Sequence, residues 1–187
     1  MIEAHYILIG LWAAYFAAHS LLASNKVKKL VGNQQAFRLV YSLISAVGLL
    51  AIFLYQATIK SPDYFHKSQL TQIIGLTFGI VCVLLVKQVF KHMSAKAFIG
   101  ISKEENPTLI TTGIYKRLRH PLYTAALSFG IGYFVFSPNQ TVLLMLICWM
   151  AYLPIGIWLE EKKLISQFGN EYCQYQQKTK AILPGIL

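Results

Sequence analysis

The stretch that decides the fold occupies residues 121–161 and reads PLYTAALSFGIGYFVFSPNQTVLLMLICWMAYLPIGIWLEE. It holds two apolar runs, 121–136 and 142–159, which are separated by the turn-forming sequence SPNQ at 137–140. A membrane-spanning helix needs about 20 apolar residues, within a range of roughly 17–25, so the second run is long enough and the first is short. We therefore predict two antiparallel transmembrane helices joined by a tight turn.

Three further apolar runs precede this hairpin, at 7–23, 39–59 and 70–89. Charged residues make up only 13% of the 187 residues and hydrophobic residues 56%, whereas soluble proteins carry roughly 25% charged residues. The sequence predicts an all-α, polytopic membrane protein with about five transmembrane helices in a single domain, 1–187. Because no Lys or Arg precedes Lys26, a retained first helix is favoured over a cleaved signal peptide.

The basic residues are sorted strongly by the five predicted helices. Fifteen of the 17 Lys and Arg residues fall on one side of the membrane, and only Lys60 and Lys67 fall on the other. Loops rich in Lys and Arg stay in the cytoplasm, so the N-terminus is expected outside and the C-terminus inside. This sorting explains the net charge of +10 and disfavours a nucleic-acid or anionic-lipid binder.

A polar cluster stands at the cytoplasmic start of the fourth predicted helix. Arg119, His120 and Tyr123 surround Pro121, which suits the first turn of a helix because its missing N–H is not needed there. Basic and tyrosine side chains at this depth often only anchor a helix at the lipid headgroups. The clustering of three such groups favours a binding site over simple anchoring.

A second polar cluster follows the fifth apolar run. Carboxylates such as Glu160 and Glu161 are costly at a membrane boundary unless they are solvated or paired. An apolar stripe then continues at helical spacing to Phe168, and Tyr172 and Tyr175 share one face beyond it. A solvated helix face is the alternative interpretation, but cations opposite carboxylates would suit a zwitterionic amino acid, with the tyrosines near an onium centre.

His19 and Ser20 form a polar pair inside the first predicted helix, where polar groups are functional candidates. A hydrogen bond between helices is an equally good explanation. The five histidines and three cysteines show no metal-ligand or disulfide spacing, so we predict no metal site. No phosphate-binding or nucleophile-elbow motif occurs either.

The two clusters together resemble the signature of membrane methyltransferases of the isoprenylcysteine carboxyl methyltransferase type. The resemblance covers roughly residues 109–184 and is specific, because many positions agree across two separated blocks. The matching residues are Gly113, Tyr115, Arg119, His120, Pro121 and Tyr123, followed by Glu160, Glu161, Leu164, Phe168, Gly169, Tyr172, Tyr175 and Pro184.

This resemblance implies an enzyme that uses S-adenosyl-L-methionine, with the cofactor over helices four and five in the half 91–187. It places Arg119 and Glu161 in catalytic roles, and it implies a cytoplasmic helix at the C-terminal end. Cofactor contacts are implied for Gly113, Tyr115, His120, Tyr123, Glu160 and Glu161.

The half 1–90, with three predicted helices, is expected to choose the methyl acceptor, with His19, Tyr172 and Tyr175 as candidate substrate contacts. The segments 19–24, 38–42 and 98–101 are more similar to bacterial relatives, including methanethiol S-methyltransferases. This resemblance implies the bacterial inner membrane as the expected location. The expected function is methyl transfer to a small or lipophilic thiol or carboxylate, at a site surrounded by membrane lipids. The alternative is a non-catalytic accessory or transport protein that retains the fold.

Overall fold

The structure, a computed structural model, describes residues 2–31, 33–102 and 108–182. Pro184, the last residue of the signature, lies outside them. Within the described residues the chain is helical apart from its connections and two isolated β-bridges. In chain order the elements are α1 (Ile2–Leu22), α2 (Asn25–Leu30), α3 (Gln34–Thr58), α4 (Gln69–Val89), α5 (Ala95–Ile99), a short 3₁₀ helix (Gly113–Lys116), α6 (Pro121–Phe136), α7 (Gln140–Phe168) and α8 (Asn170–Lys178).

Five of these helices account for the predicted transmembrane segments. Among the described residues, α1, α3, α4 and α7 are long and apolar enough to cross a membrane. α6 is apolar but has only 16 residues, about 24 Å at 1.5 Å per residue, against a hydrocarbon core of about 30 Å. The prediction of an all-α polytopic membrane protein is confirmed, with α6 as the short helix that the sequence indicated.

Several helices extend beyond the apolar runs that predicted them. α1 begins at Ile2 and α3 at Gln34, each five residues before its predicted run. α7 continues through the Glu pair and ends at Phe168, as the apolar stripe indicated, with Gly169 as its C-cap residue. Composition marks only the part of a helix that contacts lipid, whereas backbone hydrogen bonding continues into the headgroup region.

The turn between α6 and α7 is as tight as predicted. α6 ends at Phe136, and α7 begins at Gln140 after the N-cap residue Asn139. The Asn139 side chain accepts a hydrogen bond of 3.0 Å from the backbone N–H of Val142, which satisfies one of the otherwise unpaired donors of the first turn. The predicted hairpin of the last two transmembrane helices is confirmed.

α1, α3 and α7 share a buried apolar core in the membrane. Its centre is formed by Leu8, Trp12, Ile52, Val142 and Met145. On the opposite side of α3, large apolar side chains at helical spacing remain exposed, as expected for a surface that contacts lipid tails. The core therefore fixes α1 and α3 against the helix that carries the Glu pair.

Two glycines bring α4 and α6 into close contact. A Cβ atom on Gly75 would lie 2.7 Å from the carbonyl oxygen of Gly132, and a Cβ on Gly132 would lie 2.6 Å from the Cβ of Phe78. Ser128 also donates a hydrogen bond of 2.9 Å to the Phe78 carbonyl. Small residues at such a crossing let two backbones approach in lipid, so α4 holds α6 and its polar N-terminal end in place.

Candidate functional site

The segment that precedes α6 is held by the chain that follows α8. The backbone N–H of Arg119 donates to the carbonyl of Lys180 at 2.8 Å, and that of His120 donates to the carbonyl of Ala181 at 2.9 Å. The Thr124 hydroxyl adds a bond of 2.7 Å to the carbonyl of Ile182. The two blocks of the sequence signature are therefore joined by backbone pairing, as well as by their side chains.

Glu161 is the centre of the side-chain network. Its Oε1 atom accepts bonds from Arg119 Nε at 2.8 Å, His120 Nε2 at 3.1 Å and the Tyr172 hydroxyl at 3.4 Å. Its Oε2 atom accepts a bond of 2.8 Å from Gln176 Nε2. A carboxylate has about four acceptor positions, so Glu161 is close to fully satisfied by groups of the protein itself.

Arg119 is also engaged within this network. Besides its Nε bond to Glu161, its Nη1 atom donates to the carbonyls of Gln176 and Thr179. Three of its five N–H groups are used in this way, and the side chain is 13% exposed. The expectation of cations and carboxylates on opposite walls of a pocket is wrong for this pair, because Arg119 and Glu161 contact each other directly.

His120 connects the two carboxylates. Its Nε2 atom lies 3.1 Å from Glu161 and its Nδ1 atom 3.5 Å from Glu160, and its side chain is 1% exposed. Burial disfavours the charged imidazolium, but the hydrogen bonds and negative charges of Glu160 and Glu161 outweigh it and raise the pKa of His120. Only the protonated ring can donate from both nitrogens, so His120 is suited to hold both glutamates as a cation.

Glu160 is the more accessible carboxylate. Its side chain is 46% exposed, against 16% for Glu161. The hydroxyl of Tyr123 lies beside it, and a Cβ atom on Gly156 would come within 3.0 Å of that hydroxyl. A partly open carboxylate beside an aromatic ring offers negative charge and a π-face for a cationic group.

Gly113 and Tyr115 lie next to this centre. Gly113 has φ +62, and a Cβ atom there would overlap the His92 imidazole, so both its conformation and its neighbour require glycine. Tyr115 is buried, and its carbonyl accepts a bond of 2.6 Å from the Tyr175 hydroxyl. Burial, with the negative charge of Glu160, raises the pKa of Tyr115 to about 12, so its hydroxyl stays protonated.

Tyr172 and Tyr175 were predicted as candidate substrate contacts. They are 1% and 8% exposed, and both hydroxyls donate to groups of the protein, Tyr172 to Glu161 and Tyr175 to Tyr115. Burial also raises the pKa of Tyr175 to about 12. In this arrangement the two tyrosines support the network, and contact with a substrate stays a prediction.

His19 belongs to a second polar cluster, formed by α1 and α3. The Tyr41 hydroxyl lies 2.9 Å and 3.0 Å from the two ring nitrogens of His19, and Ser45 Oγ lies 3.3 Å from Nδ1. The ring of Tyr15 stacks on His19 at a centroid distance of 5.9 Å. Ser20 instead contacts the Tyr152 hydroxyl on α7 at 2.6 Å, which is the contact between helices that the alternative interpretation expects.

Sequence reasoning missed several residues of both clusters. Gln176, Thr179 and Thr124 act through contacts that only the folded chain creates, and no motif marks them. Tyr41 was noted only as part of the segment 38–42, although a tyrosine four residues before Ser45 on an apolar helix is itself a sign of a polar site. Among residues 2–31, 33–102 and 108–182, no three His, Cys, Asp or Glu side chains are placed to hold a metal ion.

The fold and this site define an integral membrane protein with a paired-carboxylate centre at one end of a helical hairpin. A sequence model described as "Phospholipid methyltransferase" matches residues 70–171, more than half of the chain, and includes both halves of that centre. The chain belongs to this family.

Individual relatives are similar at modest identity. A methanethiol S-methyltransferase of a Pseudomonas species is 30% identical over 79% of this chain and 59% of the relative, and methanethiol S-methyltransferase 1 of Bradyrhizobium diazoefficiens is 28% identical over 97% and 67%. The protein-S-isoprenylcysteine O-methyltransferase of Tribolium castaneum is 29% identical over 61% of this chain and 39% of its own length. The resemblance seen in the sequence is confirmed, although the chain spans less than two thirds of the length of two of these relatives.

Proposed function

We propose that the protein transfers a methyl group from S-adenosyl-L-methionine to a small or lipophilic thiol or carboxylate at the cytoplasmic face of the membrane. The observation that carries this proposal is the Glu161 network, which fixes a partly open Glu160 beside Tyr123 at the end of a membrane hairpin. The names of the relatives, all methyltransferases acting on a thiol or on isoprenylcysteine, support the same reaction class.

The residues present suit this cofactor, which carries an ammonium group, a carboxylate and a sulfonium centre. Glu160 offers negative charge for a cation, and the ring of Tyr123 offers a π-face for an onium group. Gly113 and Gly156 remove side-chain bulk next to His92 and Tyr123. Glu161, with four donors already, serves mainly to orient Arg119 and His120.

When bound, the cofactor supplies an electrophilic methyl group, and the protein's contribution is to position and partly dehydrate the two reactants. Among the described residues, three N–H groups of Arg119 are hydrogen-bonded. The two on Nη2 have no partner there and are suited to an anionic group of cofactor or acceptor. His120, which lies between the two glutamates, keeps Glu160 from turning away.

The charge distribution supports a cytoplasmic site. Lys28 lies close enough to Lys163 and Arg38 that burial and these two cations lower the pKa of Lys28. Basic residues of three separate segments therefore meet at the end of the bundle that carries Glu160, while Lys67 pairs with Asp63 at 3.0 Å at the other end. This arrangement favours the N-terminus outside and the C-terminus in the cytoplasm. The bacterial methanethiol S-methyltransferases among the relatives support a location in the bacterial inner membrane.

The halves of the chain divide the work in this proposal. The half 91–187 carries the Glu161 network and most of the region matched by the family. The half 1–90 supplies α1 and α3, whose polar cluster around His19 faces α7 and is suited to the methyl acceptor.

Isothermal titration calorimetry in detergent, with S-adenosylmethionine and its demethylated product, tests the cofactor step. We expect saturable binding of both compounds, and transfer of labelled methyl groups to at least one member of a panel of alkanethiols, arenethiols and prenylcysteine analogues. Absence of cofactor binding would refute the proposal. Binding without transfer to any acceptor would instead favour the non-catalytic alternative.

A further inference from the structure

The His19 cluster is unusual because it places a histidine among hydroxyl groups within the transmembrane part of α1 and α3. The Tyr41 hydroxyl, Ser45 Oγ and the Tyr15 ring all lie against the imidazole. Polar groups inside a membrane-spanning segment are costly and commonly mark a functional site. His19 is only half-buried, so it keeps surface that a small molecule can reach.

This cluster lies next to the proposed cofactor site. Glu160 and Lys163 are close enough to act on the charge of His19, and Tyr41 interacts electrostatically with both Glu160 and Tyr123. The groups that face His19 from the elements packed around it are Tyr15 on α1, Tyr41 and Ser45 on α3, and Glu160 and Lys163 on α7. Side chains of both halves of the chain therefore meet in one polar region.

Thiol and carboxylate acceptors make different demands on such a region. A thiol has a pKa of about 8.5 and is mostly neutral at pH 7, whereas a carboxylate with a pKa of about 4 is already ionised. A neutral thiol must lose its proton because the thiolate is the nucleophile. A neutral imidazole can accept that proton, and a carboxylate acceptor has no use for it.

We infer that the methyl acceptor is a neutral thiol and that His19, oriented by Tyr41 and Ser45, accepts its proton; this inference rests on the proposed methyl transfer. The S–H bond breaks and the proton goes to Nε2 of His19, the ring nitrogen that Ser45 does not contact. A lone pair of the acceptor sulfur forms the new S–CH₃ bond. The electron pair of the broken bond between the methyl group and the donor sulfonium stays on the donor sulfur, which would become a neutral thioether. The proton on His19 later leaves to water.

The test compares His19→Gln with wild type on two acceptors. An alkanethiol is neutral at pH 7, whereas an arenethiol with electron-withdrawing groups is already ionised. Removing a general base costs about 10²–10⁴-fold in rate. We therefore expect a loss of that size in kcat/KM for the alkanethiol, and a loss of less than about tenfold for the arenethiol.

His66→Gln is the matched control, because His66 is exposed in the loop between α3 and α4. It should leave both rates unchanged. Calorimetric affinity for the cofactor should also be the same in wild type and in His19→Gln. Equal losses on the two acceptors, or a loss of cofactor affinity, would show that His19 has a structural role and would overturn the inference.

Two further measurements do not depend on the folding of His19→Gln. In wild type, kcat/KM for the alkanethiol should fall at acidic pH as His19 becomes protonated. The pH profile of kcat/KM for the arenethiol should not show this fall. Tyr41→Phe should slow the alkanethiol reaction by about tenfold and spare the arenethiol. Matching pH profiles for the two acceptors would refute the inference, while a wild type that binds no cofactor would refute the proposed function itself.

Discussion

Replacing one carboxylate of the Glu pair at a time separates the residue that holds the site together from the residue that binds. Glu161→Gln removes the negative charge that compensates Arg119, while the similar shape of the amide is retained. The ion pair is mostly buried, with side chains 13% and 16% exposed. Breaking a fully buried pair costs roughly 3–5 kcal/mol. Because this pair is partly solvated and the amide oxygen still accepts one bond, we expect about 2–4 kcal/mol.

This loss is large enough to measure as a change in melting temperature. For a chain of this size, 1 kcal/mol corresponds to about 2–4 °C, so the midpoint in detergent should fall by about 4–16 °C. Thermal unfolding followed by tryptophan fluorescence, without ligand, is the appropriate assay.

Glu160→Gln is the matched control, because it makes the same chemical change one residue away. Glu160 is 46% exposed and has a contact of 3.5 Å with His120. We expect a change in stability of less than about 0.5 kcal/mol, but a loss of cofactor affinity of about 10–150-fold, the equivalent of one charged hydrogen bond. Equal changes in melting temperature for the two variants would refute the division of roles between Glu160 and Glu161.

Three further predictions concern the elements that support the site. Gly75→Ala should destabilise the protein by about 1–3 kcal/mol, because the new Cβ would lie 2.7 Å from a backbone oxygen of α6. Gly79→Ala is the control, because nothing lies within 4 Å of its Cβ position, and it should be neutral or slightly stabilising in thermal unfolding. Equal effects of the two substitutions would contradict the close crossing of α4 and α6. The raised pKa of His120 means that its stabilising contribution is complete below about pH 6.5 and is lost as the pH rises through its folded-state pKa. Between about pH 6 and pH 9 the melting temperature should therefore fall more in wild type than in His120→Gln. Parallel pH profiles of the two proteins would contradict this expectation. Gly113→Ala should cost at least about 1–3 kcal/mol, because of its positive φ and its overlap with His92, and a melting temperature equal to that of wild type would show that this loop adapts freely.

The sequence was informative wherever a local rule applied. The α6–α7 hairpin followed from two apolar runs around 137–140, and the structure confirms it with Asn139 as the N-cap. The continuation of α7 to Phe168 followed from helical spacing. The starts of α1 and α3 were placed five residues late, because hydropathy detects contact with lipid and does not detect the hydrogen bonds of a helix that continues into the headgroups.

For the candidate site, the sequence determined which residue types are present and that they occur in two blocks, one just before the hairpin and one just after its apolar part. It assigned both Glu160 and Glu161 to the cofactor, because two adjacent carboxylates are indistinguishable in a sequence. Adjacent residues on a helix point about 100° apart, so in the folded chain Glu161 turns toward Arg119 and α8, while Glu160 stays partly open.

Membrane insertion, the helical hairpin and the residues of the signature were thus determined by the sequence alone, because hydropathy, turn residues and motif spacing are local properties. Tertiary structure decided which carboxylate has its hydrogen-bond acceptors filled and which segment of the chain pairs with the backbone of His120. It also decided that His19 contacts Tyr41 and Ser45. These contacts join residues that are 11 to 61 positions apart. They depend on the packing of α1, α3, α6 and α7 against one another, which no local pattern specifies.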